Sequence, residues 1–145
     1  MNEQMSNEYF ISTDKSLLDI NMVHLYLSVD SYWAKNIPLH ILKVSIENSV
    51  CFGVYHFQQQ IGFGRVVTDK ATFAYLADVF ILEGHRGKGL SKLLMEAVMS
   101  YPELQGLRRW MLGTWDAHGL YTQFGWQALT NPERFMQLHN PNIYL

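Results

Sequence analysis

The sequence predicts a mixed α/β (α+β) domain with helices flanking a largely antiparallel central sheet. The element order is β-α-α-β-β-β-α-β-α-β. Three observations lead there. Apolar residues recur at helical spacing early in the chain, alternate with a period of two from Val50 to Leu82, and return to helical spacing after a glycine cluster. The alternating runs follow one another through short turns, which suits a meander rather than crossovers. Apolar residues make up 48% of the 145 and charged residues 17%, enough for one domain with its own core, assigned to residues 1–145.

The elements follow in order. "YFIST" (Tyr9 to Thr13) reads as a first strand, with Asp14 and Ser16 placed to cap the next helix. From Leu18 to Trp33, Met22, Leu25, Tyr26 and Val29 keep a helical spacing. Pro38 opens a second helix with Ile41, Leu42 and Ile46 on one face. "VCFGVYHF" and "IGFGRVVT" form a hairpin through "QQQ", and "TFAYLADVFIL" is a third strand. Leu90, Leu93, Leu94, Ala97, Val98 and Tyr101 form an apolar stripe on a helix that Pro102 ends. "LRRWMLGT" is a further strand, Asp116 caps a helix over Ala117 to Phe124, and Gly125 closes it. A short last strand is expected near Trp126.

Composition removes several classes of function. A net charge of −2 with scattered basic residues gives no stripe for nucleic acid. No apolar run has the length of a bilayer span, and "MNEQMSNEYF" lacks the basic-then-apolar pattern of a leader. One cysteine, Cys51, leaves no internal disulfide and fits a reducing compartment, so a cytoplasmic location with no membrane partner is expected. His24, His40, His56, His85 and His139 show no metal-ligand spacing, and no metal is expected.

The most informative stretch is "EGHRGKGLSKLL" (Glu83 to Leu94). It sets glycines and basic residues where a helix begins. A helix N-terminus exposes free N–H groups and a partial positive charge. Glycines there let an anion approach the backbone, and Arg86 and Lys88 add charge. Gly84 stands one residue too close to "GK" for a P-loop, and the glycine order runs opposite to a dinucleotide fingerprint. An ordinary βα turn with a solvated basic tip explains the stretch equally well when it is taken alone.

"RGKGLS" (Arg86 to Ser91) resembles the [QR]-x-x-G-x-[GA] signature of the GNAT acetyltransferases. One helix and one strand later, "AHGLYTQFGW" (Ala117 to Trp126) resembles that family's A-x-x-x-Y-x-x-x-G-F segment. The resemblance covers Tyr9 to Trp126 in element order and is motif-specific from Val79 onward. It implies acetyl-CoA as co-substrate and transfer of its acetyl group to an amine of a small molecule or an exposed peptide. It implies pyrophosphate binding by the backbone of Arg86, Gly87, Lys88, Gly89, Leu90 and Ser91, and pantetheine binding by the strand edge at Val79, Phe80 and Ile81. Tyr121 takes the place of the family's general acid. A homodimer, frequent in the family, is also implied as an option.

This chain departs from the pattern at Ser91, Glu83, Thr114 and Trp126. Thr114 stands where an asparagine often holds the cofactor, so it is kept as a cofactor position with its side-chain contact open. Asp78 interrupts an apolar strand and by alternation shares a face with Leu76 and Phe80. A carboxylate among apolar neighbours should have a raised pKa, which suits a general base. A structural Asp paired with Arg65 is the alternative, water-mediated proton removal is another, and Asp116 and His118 are further bases in reserve. Cys51 reads as core rather than nucleophile. Tyr32, Trp33, Tyr55 and Trp115 are expected to line the acceptor cleft, with Phe57, Phe63 and Tyr75 as further aromatics there. A non-catalytic CoA-binding sensor is the rival class.

Overall fold

The computed structural model describes residues 8–145, so most of the polar stretch read for a leader lies outside the described residues. The strands are β1 (Tyr9–Ser12), β2 (Val50–His56), β3 (Gln59–Thr68), β4 (Phe73–Ile81) and β5 (Arg109–Leu112). They form one sheet in the order β1-β2-β3-β4-β5, antiparallel from β1 to β4 and parallel between β4 and β5. The parallel pair requires a crossover, and α3 (Leu90–Ser100) provides it. Helices α1 (Ile20–Leu25), α2 (Leu39–Glu47) and α4 (His118–Thr122) complete the fold.

Each face of the sheet buries one helical layer. On one face Leu94, Met95 and Val98 of α3 pack with Phe52, Val54, Val66 and Leu76. On the other, Val23 and Leu27 of the first helical segment and Leu42 and Ile46 of α2 pack with Cys51, Phe63 and Phe80. Each fully buried side chain of this size contributes about 1.5–3 kcal/mol, so the apolar stripes fix which helix takes which face. No helix among the described residues is long and apolar enough to cross a membrane.

Several boundaries differ from the sequence reading. Asp14 caps a 3-10 turn at Lys15–Leu17 by accepting from the Ser16 N–H, while Asp19 caps α1 by accepting from the Met22 N–H. Beyond Leu25 the coil widens into a π-helical turn over Tyr26–Asp30. In the hairpin, Phe57 adopts φ 54° and only Gln58 of "QQQ" lies in the turn. Gln60 belongs to β3, where its buried amide donates to the Gly62 carbonyl and accepts from the Asp19 N–H, tying the strand to α1. The last strand expected near Trp126 is not formed, because that segment makes no ladder with β5.

The feature that shapes the site is a bulge in β4. Phe63 pairs with Phe80 and Arg65 with Ala77, so Asp78 and Val79 together oppose Gly64. Asp78 takes φ 57° in the left-handed region, which aspartate tolerates better than most residues. An inserted residue turns the strand and reverses the phase of every side chain beyond it. Leu76 therefore faces α3 while Phe80 faces α1, and the expectation that Asp78 shares a face with both is corrected. β5 ends at Leu112, level with Leu76, so residues 77–81 have no strand partner on that side.

Replacing Asp78 tests this device. Asp78→Ala adds backbone strain and leaves the poorly exposed Arg65 without its partner. It is expected to lower the unfolding free energy by about 3–5 kcal/mol in urea titration. Asp78→Asn, which tolerates the left-handed backbone and still accepts a hydrogen bond, should lose less. Equal losses would mean that backbone strain plays no part.

Candidate active site

Two openings meet along the free edge of β4. The first lies against the turn that leads into α3. Gly87 and Gly89 hold φ 79° and 75° there. A Cβ on Gly87 would meet nothing within 4 Å, so positive φ rather than crowding calls for glycine. Gly89 stands at the N-cap and offers no side-chain cap, which leaves the first-turn N–H groups of α3 open. Buried Leu90 anchors the helix start. A hollow of about 250 Å³ lies against this turn, with Ser91, Lys92 and Leu120 in its wall.

The charges at the turn are arranged differently from the sequence reading. The Arg86 guanidinium turns inward, donating from Nε to the Ile81 carbonyl at 2.8 Å and from Nη2 to the Tyr26 hydroxyl at 3.1 Å. It braces the end of β4 instead of extending toward an anion. The Lys88 ammonium lies 6.0 Å from the Tyr9 ring centroid. His85 accepts from or donates to the Tyr9 hydroxyl through Nδ1 at 3.1 Å. Its pKa is lowered by desolvation first, then by His56 and Lys88. The turn thus presents the first-turn N–H groups of α3, with Lys88 and Lys92 as the nearby lysines.

The second opening is a cleft of about 790 Å³ that continues from Ser91 along Val79 and Phe80 to Tyr121, Thr114 and Asp78. Phe80 itself is buried and stacks on Tyr26 at 3.9 Å, and Ile81, also buried, lines the hollow at the turn rather than this cleft. Tyr121 is brought in by α4. The Thr114 hydroxyl accepts from the Ala117 N–H at 3.2 Å at the start of that helix, a job the sequence assigned to Asp116. The Tyr121 ring is 8% exposed and its pKa is raised, by burial first and by Tyr32 second. Its hydroxyl is thus kept in the neutral, proton-donating form. His118 faces a separate hollow of about 410 Å³ that shares Tyr121 and Thr114, while Asp116 lines the main cleft.

Asp78 has a more constrained setting than an apolar strand implied. Its Oδ2 accepts from Arg65 Nε at 2.8 Å and its Oδ1 from Trp33 Nε1 at 2.8 Å. Arg65 also donates from Nη1 to the Ser49 hydroxyl at 3.1 Å. The Asp78 and Arg65 side chains are 8% and 17% exposed. The apolar surroundings expected for this carboxylate are replaced by an ion pair, the alternative that the sequence had left open. Trp33 is set in place by Ser31, whose hydroxyl donates to the Leu27 carbonyl and accepts from the Ala34 N–H.

Of the aromatic residues expected in the cleft, Tyr32, Trp33, Tyr75 and Trp115 reach it. Tyr32 stacks on Trp115 at 3.6 Å and meets Trp33 edge-on at 4.9 Å. Tyr55 does not join them. It is 2% exposed and stacked on Phe10, with a pKa raised to about 12 by burial and then by Asp14. Phe63 is core and Phe57 sits on the hairpin tip. Gln137 and His139 line the cleft from the C-terminal segment, which carries no motif to announce them. Ser49 was missed for the same reason.

The unpaired edge of β4, an uncapped helix N-terminus and a buried tyrosine thus open onto adjoining hollows. The GNAT acetyltransferase domain family matches residues 47–128. A Gibberella zeae protein classed among the acetyltransferases is 34% identical over 137 residues, spanning 79% of this chain and 76% of its own. A GNAT-family protein from Xanthomonas campestris pv. campestris has a crystal structure that superposes with a TM-score of 0.91 at 51% identity, over 94% of this chain and 96% of that one. A GNAT acetyltransferase from Elizabethkingia anophelis, crystallised with acetyl-CoA bound, shares the fold at 12% identity with a TM-score of 0.60, over 81% of this chain and 75% of that one. This chain belongs to the GNAT acetyltransferase family. It is an acetyl-CoA-dependent N-acetyltransferase, with acetyl-CoA as co-substrate.

Cys51 is kept out of this chemistry. It is 2% exposed and burial pushes its thiol up to about 11, against weaker opposing effects of Lys15 and Arg65. Below that pH the thiolate is scarce, and burial blocks access as well. Native protein at pH 8 is expected to resist iodoacetamide and to take up one label after urea unfolding, read by mass spectrometry. Rapid labelling of the native form would contradict this placement.

Proposed function

We propose that the acetyl group moves directly from acetyl-CoA to a primary amine of a small molecule or an exposed peptide, with Tyr121 as general acid. The supporting observation is that one cleft joins the open edge of β4, the turn at Ser91 and a buried, neutral Tyr121. The backbones of Val79, Phe80 and Ile81 would take the pantetheine arm. The turn from Arg86 through Gly87, Lys88, Gly89 and Leu90 to Ser91 would take the pyrophosphate, with Thr114 beside the arm. Steps of this kind require donors placed before the reaction begins, and backbone N–H groups on a strand and a helix start meet that requirement.

In this reading the amine loses a proton to water and its lone pair attacks the acetyl carbonyl. The C–S bond then breaks, the Tyr121 hydroxyl gives its proton to the departing thiolate, and the excess N–H proton of the acylated nitrogen passes through water to the Tyr121 phenolate, which restores the hydroxyl. Asp78 has both oxygens engaged, so we assign it a positioning role: it holds Trp33 and Arg65 at the cleft wall.

Two measurements test the proposal. Calorimetry with acetyl-CoA and with CoA should give micromolar binding, abolished by Gly89→Glu, which puts a charged side chain at a left-handed position in the turn. No binding at millimolar ligand would sink it. With acceptors drawn from polyamines, aromatic amines and peptide N-termini, Tyr121→Phe should lower kcat by about 10²–10³-fold with little change in KM. Because the folded pKa of Tyr121 lies above the ordinary 10.0, kcat/KM should rise with pH as the amine loses its proton, with no fall below that pH. Unchanged turnover in Tyr121→Phe would remove it as the acid.

A further inference from the structure

We propose that the acceptor is a small primary amine carried on a flat aromatic body and free of phosphate. This rests on the transferase reading above and concerns the end of the same cleft away from the glycine turn.

The first support is the wall. Two separate loops bring their aromatic residues to one place: Tyr32 and Trp33 after the first helical segment, and Trp115 before α4. These rings are 44%, 41% and 74% exposed, although all three are held. The Tyr32 hydroxyl accepts from the Trp115 N–H at 3.3 Å, the two rings stack at 3.6 Å, and the Trp33 indole is fixed to Asp78. Apolar area left in water lowers stability by about 25 cal/mol per Å². Rings that are immobilised and still exposed in a concave site point to a ligand that covers them. Offset stacking and edge contacts favour a planar body over a flexible chain.

The second support is charge. Arg65 is the one basic Lys or Arg side chain lining the cleft among the described residues, and Asp78 already neutralises it. Asp116 is the carboxylate left over. A phosphate or carboxylate on the acceptor would meet no free Lys or Arg there, and His139 is the one imidazole in the lining. A single ammonium would meet ring faces and one carboxylate, an arrangement that attracts it. One free carboxylate gives a polyamine no partner for its further charges.

The third support is size. The cleft of about 790 Å³ must also take the pantetheine arm, and Gln137 and His139 line it from the C-terminal segment. What remains suits a small molecule.

The test uses the full chain and equilibrium binding. Tryptamine, spermidine and glucosamine 6-phosphate are titrated by calorimetry into protein saturated with CoA, which permits no turnover. Acetyl-CoA is titrated separately. The proposal predicts that tryptamine binds at least tenfold more tightly than either comparison amine. Trp115→Ala should weaken tryptamine about tenfold and Trp115→Phe by much less, as expected for a stacking contact. Tighter binding of spermidine or glucosamine 6-phosphate overturns it, as does a Trp115→Phe loss equal to that of Trp115→Ala. If acetyl-CoA binds and tryptamine does not, the acceptor proposal fails alone. If acetyl-CoA also fails to bind, the transferase reading fails with it.

Discussion

The site depends on one inserted residue. Asp78 in the left-handed region makes two residues of β4 oppose one of β3, and everything beyond it is turned. Without that insertion Phe80 would stay in phase with Leu76, and the α1 layer would lose a ring from its core. The carboxylate at the bulge also joins three parts of the chain. It takes one donor from β3 through Arg65 and one from the loop after the first helical segment through Trp33, while Arg65 reaches on to Ser49 before β2. A buried pair of this kind adds little net stability compared with apolar packing, but removing one partner is costly. Its worth lies in fixing one geometry, here the angle at which β4 leaves β5.

Length of pairing works with the bulge. β5 has four residues and its ladder with β4 stops at Leu76. A longer β5 would satisfy the backbone of residues 77–81 and close the groove. The loop that follows β5 instead swings away to deliver Thr114, Trp115 and then Tyr121. The same short strand therefore leaves an edge of β4 unpaired and supplies the residues that stand across from it.

Much of this was readable before any coordinates. The stripe on α3 is long and strictly periodic, and its positions Leu90, Leu94 and Val98 are buried as their spacing requires. The glycine cluster marked the turn, although the positive φ of Gly87 and Gly89 was not foreseen. The bulge was not readable, because alternation assumes an uninterrupted period of two and one inserted residue leaves no mark in composition. That single event moved Asp78 from an apolar face into an ion pair. Tyr55 misled for a different reason: a large aromatic on a strand looks the same in sequence whether it faces a cleft or packs against Phe10. Gln137 and His139 lie in a segment without periodicity, so only long-range packing could reveal them. The strand expected near Trp126 is not formed, and that segment pairs with no strand of the sheet.

Counting charged residues also overstates what a site offers an anion. Arg86 looks available in sequence, yet it is bound to the end of β4, and Arg65 is bound to Asp78, the pairing that the sequence offered as an alternative. His85 is shifted toward its neutral form by desolvation and by neighbouring positive charge. What remains at the turn is a helix start with Lys88 and Lys92 nearby, and what remains at the far end is one carboxylate and the His139 imidazole among rings. Fixed backbone dipoles need no reorganisation and do not change with pH, whereas mobile side chains do both. Committing the arginines to structure thus leaves the two ends of the cleft different: backbone N–H groups at the start of α3 at one, and a carboxylate among aromatic rings at the other.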